Sequence, residues 1–381
     1  MRGTLGRDVS LDALRGVAIC SVVIFHYVSG DLPPQHLDGL RSVVLLLVSL
    51  GWAGVDLFFV LSGFLIGGIL IDNREAGNLF GVFYVRRIAR IIPLYVLAVG
   101  LVLLLTPMMR DPSVLAYFAT FTQNFWMASL HEFHGGRLDV TWSLALEEQF
   151  DLLAPLAVRL IRPELLPRFL AGAIVLGPVC RAAVWLTFHP GYQWMAAYIL
   201  LPCRIDTLAM GMLIAVAVRD PLLRAWLTRH RRSLLLAAAC CITITIAMVA
   251  DGQNWRGWPF SIAGFSLVSL ACAGMLVFFV TERGGRAWRV LTTRLAPVGV
   301  GAYSIYLFHK YGSDLGHLLF DWSSAGPIAR TTVLALFNVA VAYLLWHAIE
   351  RPFIALGHRA KYRPAPLPAV AVGSIDAATL P

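Results

Sequence analysis

The chain has 381 residues, of which 58% are hydrophobic and 14% charged. A soluble domain carries about 25% charged residues, so these proportions exclude an ordinary soluble protein and indicate one embedded in a membrane. The formal charge of +9 would suggest nucleic acid in a soluble chain, but here it must first be set against the collection of Lys and Arg on cytoplasmic loops.

Apolar windows of spanning length fall at about 11–30, 44–71, 91–110, 142–161, 169–189, 193–218, 233–250, 259–280, 297–316 and 328–350. A helix needs roughly 20 apolar residues to cross the hydrocarbon, so the pattern predicts an all-α integral membrane protein, a bundle of about ten transmembrane helices. Threading them from a cytoplasmic N-terminus puts 22 basic residues on the cytoplasmic loops against four outside, Arg41, Arg110, Arg137 and Arg256. Both termini are therefore predicted cytoplasmic, the charge is mainly topological, and no nucleic-acid partner is expected. No cleavable signal is expected, and the first window reads as a signal anchor. The six cysteines all fall in apolar segments and imply no disulfide framework.

Residues 1–356 read as one transmembrane domain. Residues 357–381 read as a Pro/Ala-rich, disordered cytoplasmic tail. The second window is long for one straight crossing, and its glycines offer places to bend or pack closely. Between Thr106 and Thr141 the aromatic residues Tyr117, Phe118, Phe121, Phe125 and Trp126 suggest an interfacial or re-entrant segment able to cover an external pocket. Neither an internal repeat nor an appended soluble domain is expected.

Several ionisable residues lie inside the windows, where their cost marks them as functional candidates. Arg15 and His26, in LDALRGVAICSVVIFHY, are eleven residues apart. That is almost three helical turns, so they share one face about 16 Å apart along the axis. Arg87 and Arg90, in YVRRIARIIPLY, share a face at the inner start of the third helix and with Arg15 form an inner cationic layer fit for an anion. Plain positive-inside flanking is the alternative for each. Asp56, Glu147 and Glu148 fall near the depth of His26, with Asp151 one turn deeper, as an outer layer of acids and imidazole. A carboxylate there would fix the His26 tautomer and stabilise its imidazolium. Arg204 and Asp206, two apart, are expected to pair with other helices rather than with each other. Tyr303, Tyr306 and His309 recur at three-residue spacing along one helical face, which puts His309 within reach of the His26 layer, whereas His347, Glu350 and Arg351 read as structural. The histidines are too scattered for a metal site, and no permanently bound cofactor is expected.

LDALRGVAICSVVIFH, GVDLFFVLSGFLI, FYVRRIARIIPLY, TWSLALEEQF, RIDTLAMG and YSIYLFH, in this order over roughly residues 9–352, together resemble the membrane-bound acyltransferase family 3. The resemblance implies a ten-helix, multi-pass O-acyltransferase of the bacterial cytoplasmic (inner) membrane. Its co-substrate would be acetyl-CoA or another acyl-CoA from the cytoplasm, and its acceptor a hydroxyl of a carbohydrate or glycoside. In that scheme His26 is the general base, with Asp56 or Glu148 orienting its ring, or else the carrier of an acyl-histidine intermediate. Arg15, Arg87 and Arg90 handle the acyl donor. By their own positions Glu147, Arg204, Tyr303 and His309 are candidates for the substrate pocket, with a buried structural ion pair the alternative for Arg204 and core packing the alternative for Tyr303. The chain departs from the family pattern at Asp151, where an aromatic residue is common, and at Lys310. The competing class is a transporter or flippase for a glycan or glycolipid, since intramembrane Arg, Asp and His also mark substrate pathways. The lack of an internal repeat counts against it.

Overall fold

The computed structural model describes residues 8–28, 48–105, 111–130, 133, 136–250, 256–282, 284–319 and 326–364. Among them every named element is helical. In chain order these are α1 (Val9–Val28), a 3-10 turn (Leu50–Ala53) leading into α2 (Gly54–Asp72), α3 (Leu79–Leu105), α4 (Pro112–Ala119), α5 (Gln123–Ser129), α6 (Thr141–Leu160), α7 (Leu166–Thr187) and α8 (Gln193–Ile199). There follow α9 (Leu201–Ala217), α10 (Pro221–Ala250), a π turn (Phe260–Gly264) leading into α11 (Phe265–Thr281), α12 (Arg286–Val300), α13 (Ala302–Leu319), α14 (Pro327–Leu345) and α15 (Arg351–Gly357). Eight stretches among the described residues are long and apolar enough to cross a membrane: α1, Leu50–Asp72, most of α3, α7, Gln193–Ala217, most of α10, Phe260–Thr281 and Ala329–Gly357. The fourth and ninth windows fall on α6 and α13, helices of 20 and 18 residues whose acidic residues and Lys310 dilute their apolar character.

Helix boundaries differ from the windows for physical reasons. α3 begins at Leu79 rather than near residue 91, because Arg86, Arg87 and Arg90 depress the hydropathy of its first turns without disturbing the helix. Arg87 therefore sits roughly 12 Å inside α3, and the expectation of a cationic site at a helix start is corrected. The ninth window straddles the break at Gly301 between α12 and α13. In the second, residues 44–47 lie outside the described residues, as do the basic residues Arg2, Arg7, Arg41, Arg110 and Arg283. The aromatic stretch after α3 forms α4 and α5. Asp111 caps α4 by accepting from the Ser113 N–H at 2.8 Å, with Pro112 in the first turn, and the segment is tied down where Tyr95 stacks on Phe121 with centroids 4.6 Å apart.

The helices meet at the centre through close backbone approach. A Cβ on Gly211 of α9 would overlap the Val60 carbonyl of α2, and one on Gly63 would overlap the Leu208 carbonyl of α9. Only glycine fits either position at this spacing. At one end of the bundle Arg74 donates to the Ile161 carbonyl at 2.6 Å, Arg159 to the Arg74 carbonyl at 2.6 Å, and Arg219 to both oxygens of Asp72 at 2.7 and 2.6 Å. The ends of α2, α6 and α9 are thereby tied together.

The expected tail divides. Residues 365–381 lie outside the described residues, but 358–364 pack as a strap against the turn before α3. Asn78 donates to the Lys361 carbonyl at 3.0 Å and accepts from the Arg363 N–H at 2.9 Å, Gly77 N–H donates to the Arg363 carbonyl, and Ala76 bridges to Pro364. Arg86 donates twice to the Ala360 carbonyl, at 2.7 and 3.2 Å, and lies 4.8 Å from the centre of the Tyr362 ring.

Candidate functional site

A cavity of about 220 Å³ opens among α1, α2, α3, α6, α13 and the strap. Four arginines line it: Arg15, Arg86, Arg87 and Arg90. Tyr303, Tyr306, Tyr362, Ser143 and Glu147 also face it, over an apolar wall that includes Phe58, Phe59 and Phe83. So the sequence-predicted cationic residues are brought together, with Glu147 and Tyr303 beside them. Arg86 and Tyr362 were not foreseen. For Arg86 a signal existed, because it is four residues from Arg90 and shares its face. For Tyr362 none did, since it reaches the cavity from the apparent tail.

The arginines are held differently. Arg15 pairs with Asp12 on its own helix, and Arg86 is engaged by the strap. Arg87 pairs with Asp151 and lies 3.9 Å from Glu148 Oε1. Arg90 makes no ion pair or hydrogen bond among the described residues, and is half-buried. Acids on α6 thus meet the cations on α3 directly, and the expected separation into an inner cationic and an outer acidic layer is corrected. The reason is the depth of Arg87 inside α3, which brings it level with the second and third turns of α6. α3 is fixed to its neighbours on both sides: Tyr303 of α13 donates to the Ile91 carbonyl at 2.9 Å, and Tyr84 to the Leu152 carbonyl of α6 at 3.2 Å.

His26 and His309 lie beyond the cavity. Tyr306 stands between: it lines the cavity, its ring centre is 6.1 Å from that of His309, and its hydroxyl is held by Ser143 Oγ at 2.6 Å and the Val140 carbonyl at 2.9 Å. The two imidazole centres are 4.7 Å apart. His26 Nδ1 lies 2.9 Å from the Val22 carbonyl. A carbonyl only accepts, so Nδ1 carries the proton and Nε2 presents a lone pair in the neutral ring. Tyr27 donates to the His309 carbonyl at 2.8 Å and pins α13 to α1 at this level.

The carboxylates expected to orient His26 have other partners. Glu148 faces Arg87. Asp56 is paired with Arg204, both fully buried, and the guanidinium is ringed by Phe265, Tyr198 and Phe59 at 4.7, 5.8 and 5.9 Å from their ring centres. Neither Asp56 nor Arg204 lines the cavity. Asp206 receives Arg181 of α7 at 2.9 Å and Ser266 Oγ at 3.1 Å. Arg204 and Asp206 therefore serve different helices, as their spacing predicts. Glu350 accepts from Ser304 Oγ at 2.6 Å, a packing contact between the turn before α15 and α13.

The profile of a family described as an acyltransferase domain matches residues 8–347. The O-acetyltransferase OatA of Staphylococcus aureus is 26% identical over 371 residues, which cover 92% of this chain and 58% of the relative. The peptidoglycan O-acetyltransferase OatA of Listeria monocytogenes is 27% identical over 323 residues, 79% of this chain and 48% of the relative. A protein named as a membrane-bound transacylase, BcsY of Komagataeibacter xylinus, is 26% identical over 370 residues, 93% of this chain and 85% of its own. The chain spans about half the length of the OatA relatives. No solved structure matches it significantly.

Proposed function

The chain belongs to the membrane-bound acyltransferase family 3, and from that premise we propose that it is a multi-pass O-acyltransferase of a bacterial cytoplasmic membrane. It moves an acyl group, acetyl by default, from a coenzyme A thioester to a hydroxyl of a carbohydrate or glycoside. In this reading α6 and α13 are two further crossings, ten in all, and both termini are cytoplasmic. The arginine-rich end of the cavity then opens to the cytoplasm. Peptidoglycan, named for the Listeria relative, is one acceptor within the class.

The observation that carries the reading is the cavity itself, with four arginines at its lining and Tyr306 dividing it from His26 and His309. Its apolar wall suits an acylated pantetheine arm, and the nucleotide phosphates lie among Arg15, Arg86, Arg87 and Arg90. On the far side His26 Nε2 takes the proton of the acceptor hydroxyl as that oxygen attacks the thioester carbonyl. The C–S bond breaks, and the proton passes from Nε2 to the departing thiolate. The transporter alternative loses ground once the chain is placed among acyltransferases, because the same polar residues then serve group transfer.

The test is transfer from radiolabelled acetyl-CoA by the purified full chain in lipid, against a panel of glycan acceptors, with His26→Ala beside the wild type. The expected outcome is transfer by the wild type and none by folded His26→Ala. Absence of both transfer and coenzyme A binding in the wild type would overturn the reading.

A further inference from the structure

Arg86 lines the cavity, yet its guanidinium is already engaged. Its Nε and Nη2 both donate to the Ala360 carbonyl of the strap, at 3.2 and 2.7 Å, and its Cζ lies 4.8 Å from the centre of the Tyr362 ring. The Nε–Nη2 edge is one that grips two oxygens of a phosphate, and here a backbone carbonyl stands in that place. Tyr362 also lines the cavity. The strap therefore takes both a cation and some of the room that an incoming anion would use.

The strap itself is held lightly. None of residues 358–364 is fully buried. Its bonds to the turn before α3 are polar ones at the surface: Asn78 to the Lys361 carbonyl at 3.0 Å, the Arg363 N–H to Asn78 at 2.9 Å, and the Gly77 N–H to the Arg363 carbonyl at 3.2 Å. Such a segment opens locally at far less cost than the bundle. Docking also carries a penalty of its own, because the Tyr362 hydroxyl is buried with no hydrogen-bond partner among the described residues. A buried donor left unmet destabilises the state that buries it, and in the detached strap the hydroxyl meets water. The docked strap thus covers an anion-binding edge, and its docking is poised to reverse. We propose that the strap is an autoinhibitory contact that competes with the phosphates of the acyl donor for Arg86, so that donor loading and strap docking exclude each other. By linkage the effect runs both ways: freeing the strap strengthens donor binding, and the donor drives the strap off by the same factor.

This inference rests on the proposed reading of a coenzyme A thioester as donor, and the experiment separates the two. Equilibrium binding of acetyl-CoA, and trypsin cleavage at the exposed Arg359 and Lys361, are measured for the full chain in lipid as wild type, Tyr362→Ala and Tyr362→Phe. Ala takes the ring away from Arg86 and the cavity; Phe keeps the ring and removes the unmet hydroxyl. The expected result for Ala is faster cleavage without donor and an acetyl-CoA affinity at least about fivefold tighter, the lower end of coupling between two sites. Phe should move both readouts the opposite way, to slower cleavage and weaker binding. Saturating acetyl-CoA should speed cleavage of the wild type. Acetyl-CoA that binds but slows cleavage, or an Ala variant that binds it more weakly, would overturn the inference and make the strap a wall of the donor site. Donor affinity unchanged in both variants would overturn it as well and leave the strap as packing. Failure of all three chains to bind acetyl-CoA would instead overturn the donor reading beneath it.

Discussion

Two arginine–carboxylate pairs lie inside this bundle, and they differ in what surrounds them. Arg204 and Asp56 are 0% and 1% exposed, sealed by Phe59, Tyr198 and Phe265, and outside the lining of the 220 Å³ cavity. Arg87 keeps 17% of its side-chain surface beside Asp151 and faces the 220 Å³ cavity. The chemistry of the two pairs is the same. Their access is not, and access separates a pair that holds helices together from one that can meet a ligand.

Breaking the sealed pair should have the largest effect. Asp56→Ala leaves the Arg204 guanidinium buried without its counter-charge, a change that costs about 3–5 kcal/mol. The expected outcome is a chain that fails to run as a monodisperse peak in detergent. Replacing both partners, Asp56→Leu with Arg204→Met, removes the charge problem and should recover most of the folded fraction. If the single variant melts like the wild type, the pair is not what closes α2 on α9.

The same seam can be stressed without touching charge. In Gly211→Ala the added methyl meets the Val60 carbonyl, and overpacking of this kind costs about 1–3 kcal/mol. Melting temperature should drop while the apparent affinity for acetyl-CoA at the remaining folded protein stays put. A matching loss of donor affinity would mean that the two regions are coupled rather than separate.

How much of this was legible in the sequence follows the same division. Pairing partners off one's own helix were readable for Arg204 and Asp206, because residues two apart point to different sides. The gathering of Arg15, Arg87 and Arg90 was readable from shared helical faces. The depth of Arg87 was not, because hydropathy hides the start of a helix whose first turns carry three arginines, and so the Arg87–Asp151 pair was missed. Nor was the partner of His26, since the helix-to-helix register that sets His309 rather than Asp56 beside it is decided by packing between α1 and α13, 283 positions apart in the chain. The strap was masked by its composition, which reads as tail.

The open region should respond in binding before it responds in stability. Arg90 lines the cavity and has no ion pair to lose among the described residues, so Arg90→Ala should leave the melting temperature unchanged. It should weaken acetyl-CoA binding about tenfold, the scale of one charge-assisted contact. Equilibrium binding of acetyl-CoA to the variant in lipid measures this, with desphospho-coenzyme A thioester as a second ligand. Unchanged affinity for both would reduce Arg90 to a topological charge and leave the cavity without its expected anion.

The smallest effect is expected at the strap, where the cavity meets the chain end. Asn78 supplies two of its hydrogen bonds, to the Lys361 carbonyl and from the Arg363 N–H, each worth about 1 kcal/mol or less at a partly exposed site. Asn78→Ala should therefore raise the population of detached strap by a few-fold to about thirtyfold. Arg359, Lys361 and Arg363 are all exposed, so trypsin reads that population directly when opening is fast relative to cleavage. Faster cleavage at these residues with an unchanged core fragment would show that the strap opens as a local unit while the bundle stays folded. Cleavage at the wild-type rate would mean that the Arg86 bonds to the Ala360 carbonyl and the Tyr362 ring hold the strap by themselves, which makes Arg86 a structural clamp and removes it from the arginines available to a ligand.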